Sequence, residues 1–343
     1  MVSSWGSLSP RAGRQDLGMM RVNRLDGTMG LSDTYESVRS ATVAFVATYD
    51  PVREVHLRPS IVLPIIGTGF IIGGNGLIVT NNHVVQAFAT VPRPRNPSPE
   101  DLCVTAIAFH MTEEGMITVP LDIAGVVQLE AGEERGDVYY GTTTPDVALV
   151  HVKASDLPTL EMGMTSSIQA GDEVATLGFP MGDQALAAPG WIHQLVPTLQ
   201  KGIVSAVLPF PSESPHAFTM NVMTQGGASG SPVFFPESGL VAGVLYGSLV
   251  QPAGSVQLPT NISYVVPVHF ITKILELAEG EPAVARGDPH PSLKEMIDTY
   301  EKENMKDVLR GMRDRATSAV RSKRSTDILK GDVPAAWGGE PEG

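Results

Sequence analysis

The stretch Gly226-Gly227-Ala228-Ser229-Gly230-Ser231-Pro232 places a serine between glycines, and two apolar, strand-like runs follow it at 233–235 and 239–246. A serine hydroxyl becomes a nucleophile only when a base removes its proton and nearby donors stabilise the oxyanion that forms. Glycines permit a backbone turn that points amide N–H groups into a small hole beside the serine. The same composition is typical of an ordinary turn between strands. The rest of the chain must therefore decide between a turn and a catalytic site.

Short apolar runs bounded by turn signals occur on both sides of this stretch. Two of them, 67–72 and 77–80, are joined by Gly73-Gly74-Asn75-Gly76 and predict a β-hairpin, with His83 just after its second strand. No helical pattern separates the runs, so they predict an all-β barrel or sandwich. The other strand-like runs are 41–46, 103–109, 117–121, 124–129, 147–152, 173–177, 202–207 and 219–222.

The pattern changes to helical spacing after Pro267. Apolar residues recur every three or four positions over 268–278 and again over 292–325, which predicts a terminal helix and, behind a Gly/Pro linker, an amphipathic helix. The second helix packs against the domain, remains a solvated coil, or binds a partner such as a second copy of the chain. We therefore divide the chain into a flexible tail (1–34), a folded domain (35–280) and a helical, partly disordered C-terminal tail (281–343).

Composition excludes several classes of function. The net charge of −13 argues against nucleic-acid binding. Cys103 is the only cysteine, so we expect neither an internal disulfide nor a cysteine-rich zinc site. The sequence contains no His-Glu-x-x-His pair and no Gly-x-x-x-x-Gly-Lys phosphate loop. We therefore expect no metal and no cofactor.

The distribution of apolar residues also bears on cellular location. The first 34 residues contain no apolar run of signal-peptide length, and no stretch approaches 18 consecutive apolar residues. From the sequence alone we expect a cytoplasmic protein without membrane association.

Three residues in separate turns could form a catalytic group: His83, Asp146 and Ser229. A serine nucleophile needs an imidazole that accepts its proton and a carboxylate that orients and stabilises that imidazole. Each of the three lies beside a strand-like run or in a turn, where side chains from distant segments can meet. Asp137 is an alternative carboxylate, although no apolar run follows it.

The remaining candidates fit less well. Ser231 is expected to be a turn residue, and four histidines are expected to be structural or exposed: His110, His151, His193 and His216. The α/β-hydrolases need Gly-x-Ser-x-Gly between a strand and a helix. Here a glycine follows the serine directly and a strand-like run comes next, so that class is excluded.

Six segments, in order along the chain, carry a family resemblance. They are Gly67-Thr68-Gly69-Phe70-Ile71-Ile72 through Thr80-Asn81-Asn82-His83-Val84-Val85, Asp146-Val147-Ala148-Leu149-Val150, Gly171-Asp172-Glu173-Val174, Gly178-Phe179-Pro180-Met181-Gly182, Lys201-Gly202-Ile203-Val204-Ser205 and Gly227-Ala228-Ser229-Gly230-Ser231-Pro232. The sequence thereby resembles the trypsin-like, chymotrypsin-fold serine peptidases, in particular the Deg (high-temperature-requirement) branch. The 60-odd residues after the terminal helix are too few for the peptide-binding module that this branch usually carries.

The resemblance implies a fold and a set of roles. The fold is two antiparallel six-stranded β-barrels, closed by the C-terminal helix at 268–278. His83 is then the general base, Asp146 its orienting carboxylate and Ser229 the nucleophile, while the amides of Gly227 and Ser229 form the oxyanion hole. Ala228 replaces the acidic residue of digestive relatives, so we expect no activation by cleavage of a new N-terminus.

The resemblance also places the substrate pocket. Met223 corresponds to its base and implies a preference for small or medium apolar residues, and Tyr246 and Gly247 correspond to the wall, where a peptide adds as a strand. The implied function is a serine endopeptidase that hydrolyses proteins or peptides through an acyl-enzyme. The alternative is a catalytically idle trypsin-like scaffold that acts through its C-terminal helix.

Overall fold

The structure, a computed structural model, describes residues 30–56, 64–96, 102–112, 115–128, 145–180, 197–212, 214–253, 256–278 and 290–303. Most of its elements are strands. The strands are β1 (Thr42–Ala47), β2 (Tyr49–Asp50), β3 (Val55–His56), β4 (Ile65–Gly73), β5 (Leu77–Thr80), β6 (Val104–Thr112), β7 (Gly115–Leu121), β8 (Ile123–Gln128), β9 (Ala148–Val152), β10 (Glu173–Gly178), β11 (Thr198–Leu208), β12 (Ala217–Met220), β13 (Pro232–Phe234), β14 (Val241–Ala253) and β15 (Val256–Pro267). The α-helices are α1 (Leu31–Ala41), α2 (Asn82–Ala87), α3 (Val268–Ala278) and α4 (Leu293–Glu303).

The first half of the chain forms a seven-stranded antiparallel sheet in the order β7-β6-β1-β4-β5-β9-β8, which we call the N-terminal sheet. The predicted hairpin is present as β4 and β5, with Phe70 opposite Val79. β9 pairs with β5 so that Ala148 lies opposite Thr80. The segments that follow β5 and precede β9 therefore meet at one edge of the sheet.

The second half forms a closed barrel in the order β10-β11-β12-β15-β14-β13, which we call the C-terminal barrel. Its longest hairpin joins β14 to β15, from Gly243 opposite Pro267 to Ala253 opposite Val256. The serine-bearing stretch 226–232 connects β12 to β13, so the barrel fixes both of its ends.

The two halves are packed differently. The barrel has an interior cluster of its own, which includes the fully buried Phe218, Met220 and Val265. The cluster under the N-terminal sheet is larger. It combines sheet residues with α1, with barrel residues such as Phe234 and Val244, with Ile271 and Ile274 of α3 and with two α4 residues. The sheet is thus covered by segments from the far end of the chain.

The predicted all-β, two-unit fold is confirmed, with one difference in the first unit. The resemblance implies six strands in a closed barrel, whereas the N-terminal sheet has seven strands and ends at β7 and β8, which do not pair within the described part of the chain. Each of the seven apolar runs of this half forms a strand, so the local pattern gives the count and the packed helices take the place of full closure.

The helices define how much of the chain is packed. α3 matches the predicted helix 268–278, and no helix in the described ranges has the length and apolarity to span a membrane. Of the predicted helix 292–325, residues 293–303 form α4, whose Leu293 and Ile297 are buried against the domain; the remainder lies outside the described residues. Likewise, of the predicted tail 1–34, the described part begins α1, where Thr34 is buried. We propose that the folded unit extends from about residue 30 to residue 303.

Candidate active site

His83 and Asp146 meet at the edge where β5 ends and β9 begins. Asp146 Oδ2 lies 2.5 Å from His83 Nδ1, and Asp146 Oδ1 accepts a hydrogen bond of 3.0 Å from the His83 backbone N–H. A proton on Nδ1 satisfies the carboxylate and leaves Nε2 as the acceptor of the imidazole. The carboxylate therefore holds both the orientation and the tautomer that a general base requires.

The backbone of Asp146 is held as well. The Asn81 side-chain amide, which is fully buried, donates to the Asp146 carbonyl oxygen at 2.6 Å. The side chain of His83 is nevertheless 46% exposed and that of Asp146 20% exposed. The His83 imidazole is thus held on its Nδ1 side, while its other side is partly exposed to solvent.

We call residues 225–231 the nucleophile turn. Buried donors hold three consecutive carbonyl groups of this turn. Thr68 Oγ1 donates to the Gly227 carbonyl at 2.7 Å, and the Thr68 N–H donates to the Ser229 carbonyl at 2.8 Å. Between them, Ser231 Oγ donates to the Ala228 carbonyl at 2.6 Å. These bonds direct the oxygens of the turn into the protein.

Among residues 227–231 of the nucleophile turn, the amide groups divide into two sets. Three N–H groups donate to backbone carbonyls: Ala228 to Gln225 at 3.1 Å, Gly230 to Leu245 at 2.8 Å and Ser231 to Ala228 at 3.1 Å. Within the described part of the chain, the N–H groups of Gly227 and Ser229 have no hydrogen-bond acceptor. Gly227 has φ 92°, in the left-handed region that glycine adopts readily. Two unpaired amides flanking a serine hydroxyl can stabilise an oxyanion.

The hydroxyl of Ser229 points along the pocket rather than at the histidine. Ser229 Oγ donates to the Tyr246 carbonyl oxygen at 3.3 Å, and no hydrogen bond joins it to His83 in the described structure. Burial raises the pKa of the Tyr246 phenol, and the charges of Tyr264 and Asp146 raise it further. Catalytic hydrogen bonds are often long or misaligned before substrate binds. The structure shows the Ser229 hydroxyl bonded to the Tyr246 carbonyl and not to His83.

A cavity of about 350 Å³ opens beside Ser229. Its lining consists of Thr224, Gln225, Gly226, Ser229, Leu245, Gly247, Ser248 and Val250. None of these described lining residues is charged. Next to the cavity, Thr224 Oγ1 contacts the hydroxyls of Ser248 and Ser263, and Ser263 Oγ donates to the Val222 carbonyl at 2.7 Å. The pocket thus combines apolar walls with hydroxyl groups that are already hydrogen-bonded.

The structure places the three predicted substrate-binding residues differently. Met223 is not among the residues that line the cavity and is 40% exposed, whereas the adjacent Thr224 is among them. Gly247 lines the cavity, and Tyr246 contributes its carbonyl oxygen to Ser229. Their roles in substrate binding remain predictions.

The other candidates lie elsewhere. His151 is buried, with Nε2 3.0 Å from the Asn75 carbonyl oxygen, and Ser231 is a buried turn residue. His110 lies on β6, and the ring of His216 packs against Phe270. Asp137 and His193 fall outside the described residues. Within the described ranges, no three His, Cys, Asp or Glu side chains form a group that could hold a metal.

Sequence reasoning missed Thr68. It lies in the quoted segment 67–72, but its contact to Gly227 spans 159 positions of the chain. The only signal in the sequence is that a polar residue lies between two glycines in an otherwise apolar strand.

Comparison with known families identifies the chain. A family model described as a trypsin-like peptidase domain matches residues 67–244, which include His83, Asp146 and Ser229. The chain belongs to the trypsin-like peptidase family. The match to the family model begins in β4 and ends in β14, so it includes parts of both halves of the fold.

Similar individual proteins point to one branch of the family. The chain is 24% identical over 223 residues to a probable periplasmic serine endoprotease, DegP-like, from Halomonas elongata, covering 65% of this chain and 37% of that protein. It is 26% identical over 224 residues to the protein of the same name from Hahella chejuensis, covering 64% and 37%. The chain thus matches little more than a third of the length of these curated relatives.

A solved structure described as an HtrA-type protease, AlgW, with tripeptide, is 15% identical, with a TM-score of 0.46 over 74% of this chain and 64% of that one.

The curated relatives also bear on cellular location. Because they are named periplasmic, the expectation of a cytoplasmic protein is contradicted. The predicted resemblance to the Deg branch is confirmed by the names of these relatives.

Proposed function

We propose that the chain is a serine endopeptidase that cleaves proteins or peptides through an acyl-enzyme intermediate. His83 is the general base, Asp146 orients it, and Ser229 is the nucleophile. The amides of Gly227 and Ser229 form the oxyanion hole.

The observation that carries this proposal is the pattern of hydrogen bonds in the nucleophile turn. Every N–H of residues 227–231 has a partner in the described structure except those of Gly227 and Ser229, which are the two that an oxyanion hole needs. Gly227 is buried, and a backbone donor that is shielded from water and unpaired costs stability. A turn with a merely structural role would gain nothing from leaving this amide unpaired.

The chemistry follows from the geometry. Ser229 Oγ attacks the scissile carbonyl carbon as its proton passes to His83 Nε2, and the new oxyanion accepts hydrogen bonds from the two free amides. His83 then returns the proton to the amine as the C–N bond breaks, leaving an ester on Ser229. A water molecule, deprotonated by His83, hydrolyses the ester. Asp146 stabilises the imidazolium in both steps through its bond to Nδ1.

Labelling with a fluorophosphonate probe tests this function without knowledge of the substrate. The probe phosphonylates a serine only if that serine is activated. We expect wild type to be labelled and Ser229→Ala and His83→Ala not to be labelled. Ser205→Ala, which changes an exposed serine on β11, is the matched control and should be labelled like wild type.

The pocket supports a proposal on specificity. A cavity of about 350 Å³ with Leu245 and Val250 in its lining, and with hydroxyls but no described charge, suits a small or medium uncharged side chain before the scissile bond. Lysine or arginine would bury its charge without a partner. A peptide series that varies this residue should be cleaved fastest with valine, alanine or threonine, and at least tenfold more slowly with arginine.

One observation favours a second candidate, the idle scaffold. Ser229 Oγ donates to the Tyr246 carbonyl and not to His83. If folded wild type remained unlabelled at saturating probe, this arrangement would be a permanent state, and the scaffold would be the better interpretation. Partner binding by the C-terminal region would then be tested through the 304–325 segment, which lies outside the described residues.

A further inference from the structure

Thr68 lies where the N-terminal sheet meets the nucleophile turn. It belongs to β4, its side chain is completely buried, and its neighbours Gly67 and Gly69 leave room for close approach. A Cβ on Gly67 would come within 3.3 Å of the Ser229 carbonyl oxygen. The sheet and the turn are therefore in direct contact at this residue.

Every polar group of Thr68 is used at this contact. Its N–H donates to the Ser229 carbonyl at 2.8 Å, and its Oγ1 donates to the Gly227 carbonyl at 2.7 Å. Oγ1 also accepts the Phe179 N–H at 3.3 Å, and the Thr68 carbonyl accepts Thr80 Oγ1 at 2.7 Å. A hydroxyl that accepts one bond has a defined direction in which to donate the other, so the bond to Gly227 is well determined.

This arrangement acts on the two residues that carry the free amides. Gly227 and Ser229 are each held by their carbonyl oxygen to the same threonine, while Ala228 between them donates to Gln225. A glycine can rotate its peptide groups at little cost. The Gly227 carbonyl belongs to the peptide group 227–228, which lies between the two peptide groups that carry the free N–H groups. Holding it fixes the Cα of Gly227, from which the Gly227 N–H extends.

The same residue connects the turn to the base. Thr80, which donates to the Thr68 carbonyl, is the last residue of β5 and lies three positions before His83. Oxyanion stabilisation depends on donors that are in place before the reaction. A short chain of hydrogen bonds thus relates the position of the hole to the position of the base.

We propose that the Thr68 hydroxyl is a positioning group: it holds the 227–228 peptide of the nucleophile turn and thereby keeps the Gly227 and Ser229 amides on either side of it at the oxyanion hole. This inference rests on the proposed function, since it assigns a role within that site. Thr68 does not touch the substrate; it acts through the Gly227 carbonyl.

The test compares Thr68→Val, which removes the hydroxyl at nearly constant volume, with Thr68→Ser, which keeps it. The probe is the fluorophosphonate, whose phosphoryl oxygen occupies the hole in the reaction. For Thr68→Val we expect the maximal rate of inactivation to fall by roughly 10- to 100-fold, below the effect of losing a donor outright. The probe concentration at half-maximal rate should stay within about twofold. Thr68→Ser should recover most of the rate.

Thr105→Val is the matched control. Thr105 Oγ1 is also buried and donates to a backbone carbonyl, that of Leu121 at 2.9 Å, on the far side of the N-terminal sheet. The Thr105→Val variant should keep the wild-type rate of inactivation, even if its free energy of unfolding falls. Equal rates in wild type and Thr68→Val, equal losses in Thr68→Val and Thr105→Val, or no recovery in Thr68→Ser would each overturn the inference.

Hydrogen exchange separates this inference from the proposed function. In Thr68→Val, the hydrogen-bonded amides of the turn, those of Ala228, Gly230 and Ser231, should exchange at least tenfold faster than in wild type, with β10 unchanged. Because exchange needs no reaction, it reports on the Thr68 contact even if wild type is never labelled, an outcome that would count against the proposed function alone. Unchanged exchange in the turn would overturn the inference.

Discussion

The two halves of the molecule reach a packed interior by different routes. The C-terminal barrel closes on itself and fills its interior with its own side chains, such as Phe218 and Val265. The N-terminal sheet stays open and is covered by α3 and α4, which come from the end of the chain. The barrel therefore has one core cluster made only of its own half of the chain, whereas the cluster of the N-terminal sheet also draws on the barrel, α3 and α4, which follow it in the chain.

The two halves also build their parts of the site differently. The sheet edge presents side chains: His83 and Asp146 project from it and are partly exposed. The barrel side presents backbone, because the nucleophile turn is fixed through its carbonyl groups and offers its amides. A partly exposed side chain can be replaced with little effect on the fold. The backbone amides of the turn cannot be moved without disturbing the contacts that hold the turn. Changes on the sheet side should therefore affect activity, and changes in the turn should affect activity and stability together.

Asp146→Asn, on the sheet side of the site, should have the largest effect on activity. The amide retains the shape of the carboxylate but stabilises the wrong imidazole tautomer, so the inactivation rate by fluorophosphonate should fall by about 10⁴-fold. The thermal unfolding midpoint should stay within a few degrees of wild type, since Asp146 is partly exposed. A large drop in stability would contradict the separation of activity from fold on the sheet side.

The opposite result is expected for Gly230→Ala. Gly230 has φ 89°, and a Cβ there would overlap the Thr68 carbonyl oxygen. The free energy of unfolding should fall by roughly 3 kcal/mol or more, from backbone strain and overpacking together. Chemical denaturation measures it. Gly226→Ala is the control, because a Cβ at Gly226 meets nothing within 4 Å, and it should cost well under half as much.

The dependence of the sheet on its cover is tested by Ile297→Ala in α4. Ile297 is buried in the cluster of the N-terminal sheet, so its truncation should lower the free energy of unfolding by about 2 kcal/mol. Leu277→Ala on α3, where the side chain is 59% exposed, should change it by less than about 0.5 kcal/mol. Equal effects of the two would mean that α4 contributes no more than a surface residue does.

The smallest effect concerns His269 on α3. Burial lowers its pKa from 6.5, with Lys273 and His216 adding to the shift, and its Nδ1 lies 3.1 Å from Thr165 Oγ1. Because the unfolded chain takes up this proton first, the stability contribution of neutral His269 is present above pH 6.5 and is lost as pH falls through the folded pKa. Denaturation at pH 7 and pH 5 should show a smaller drop for His269→Asn than for wild type. An equal drop in both would refute the assignment.

Local patterns predicted most of the strands and the terminal helix. The runs 173–177 and 233–235 become β10 and β13 within one residue, and α3 has the predicted bounds. Apolar alternation and turn residues are local properties, so a sequence carries them directly. The sequence also predicted that His83, Asp146 and Ser229 act together. The structure brings His83 and Asp146 into contact, and the catalytic roles stay a prediction.

The rest depends on contacts between distant segments. The long β14–β15 hairpin was only partly predicted, since Pro252 and Pro259 interrupt its pattern and its pairing is set by the barrel. Met223 was assigned to the pocket through a family resemblance, and which side chains line the cavity depends on the turn after β12, where Thr224 is a lining residue. Thr68 could not be assigned, because its role exists only once β4 touches the nucleophile turn.

The cover of the N-terminal sheet has a consequence for the order of events during synthesis. His83 and Asp146 leave the ribosome long before residues 268–297, yet the core beneath their strands is completed only by those last residues. Segments made early cannot finish packing until α3 and α4 emerge. The nascent chain therefore completes the packing beneath His83 and Asp146 last, and the proposed catalytic centre can be complete only when translation of the folded unit has ended.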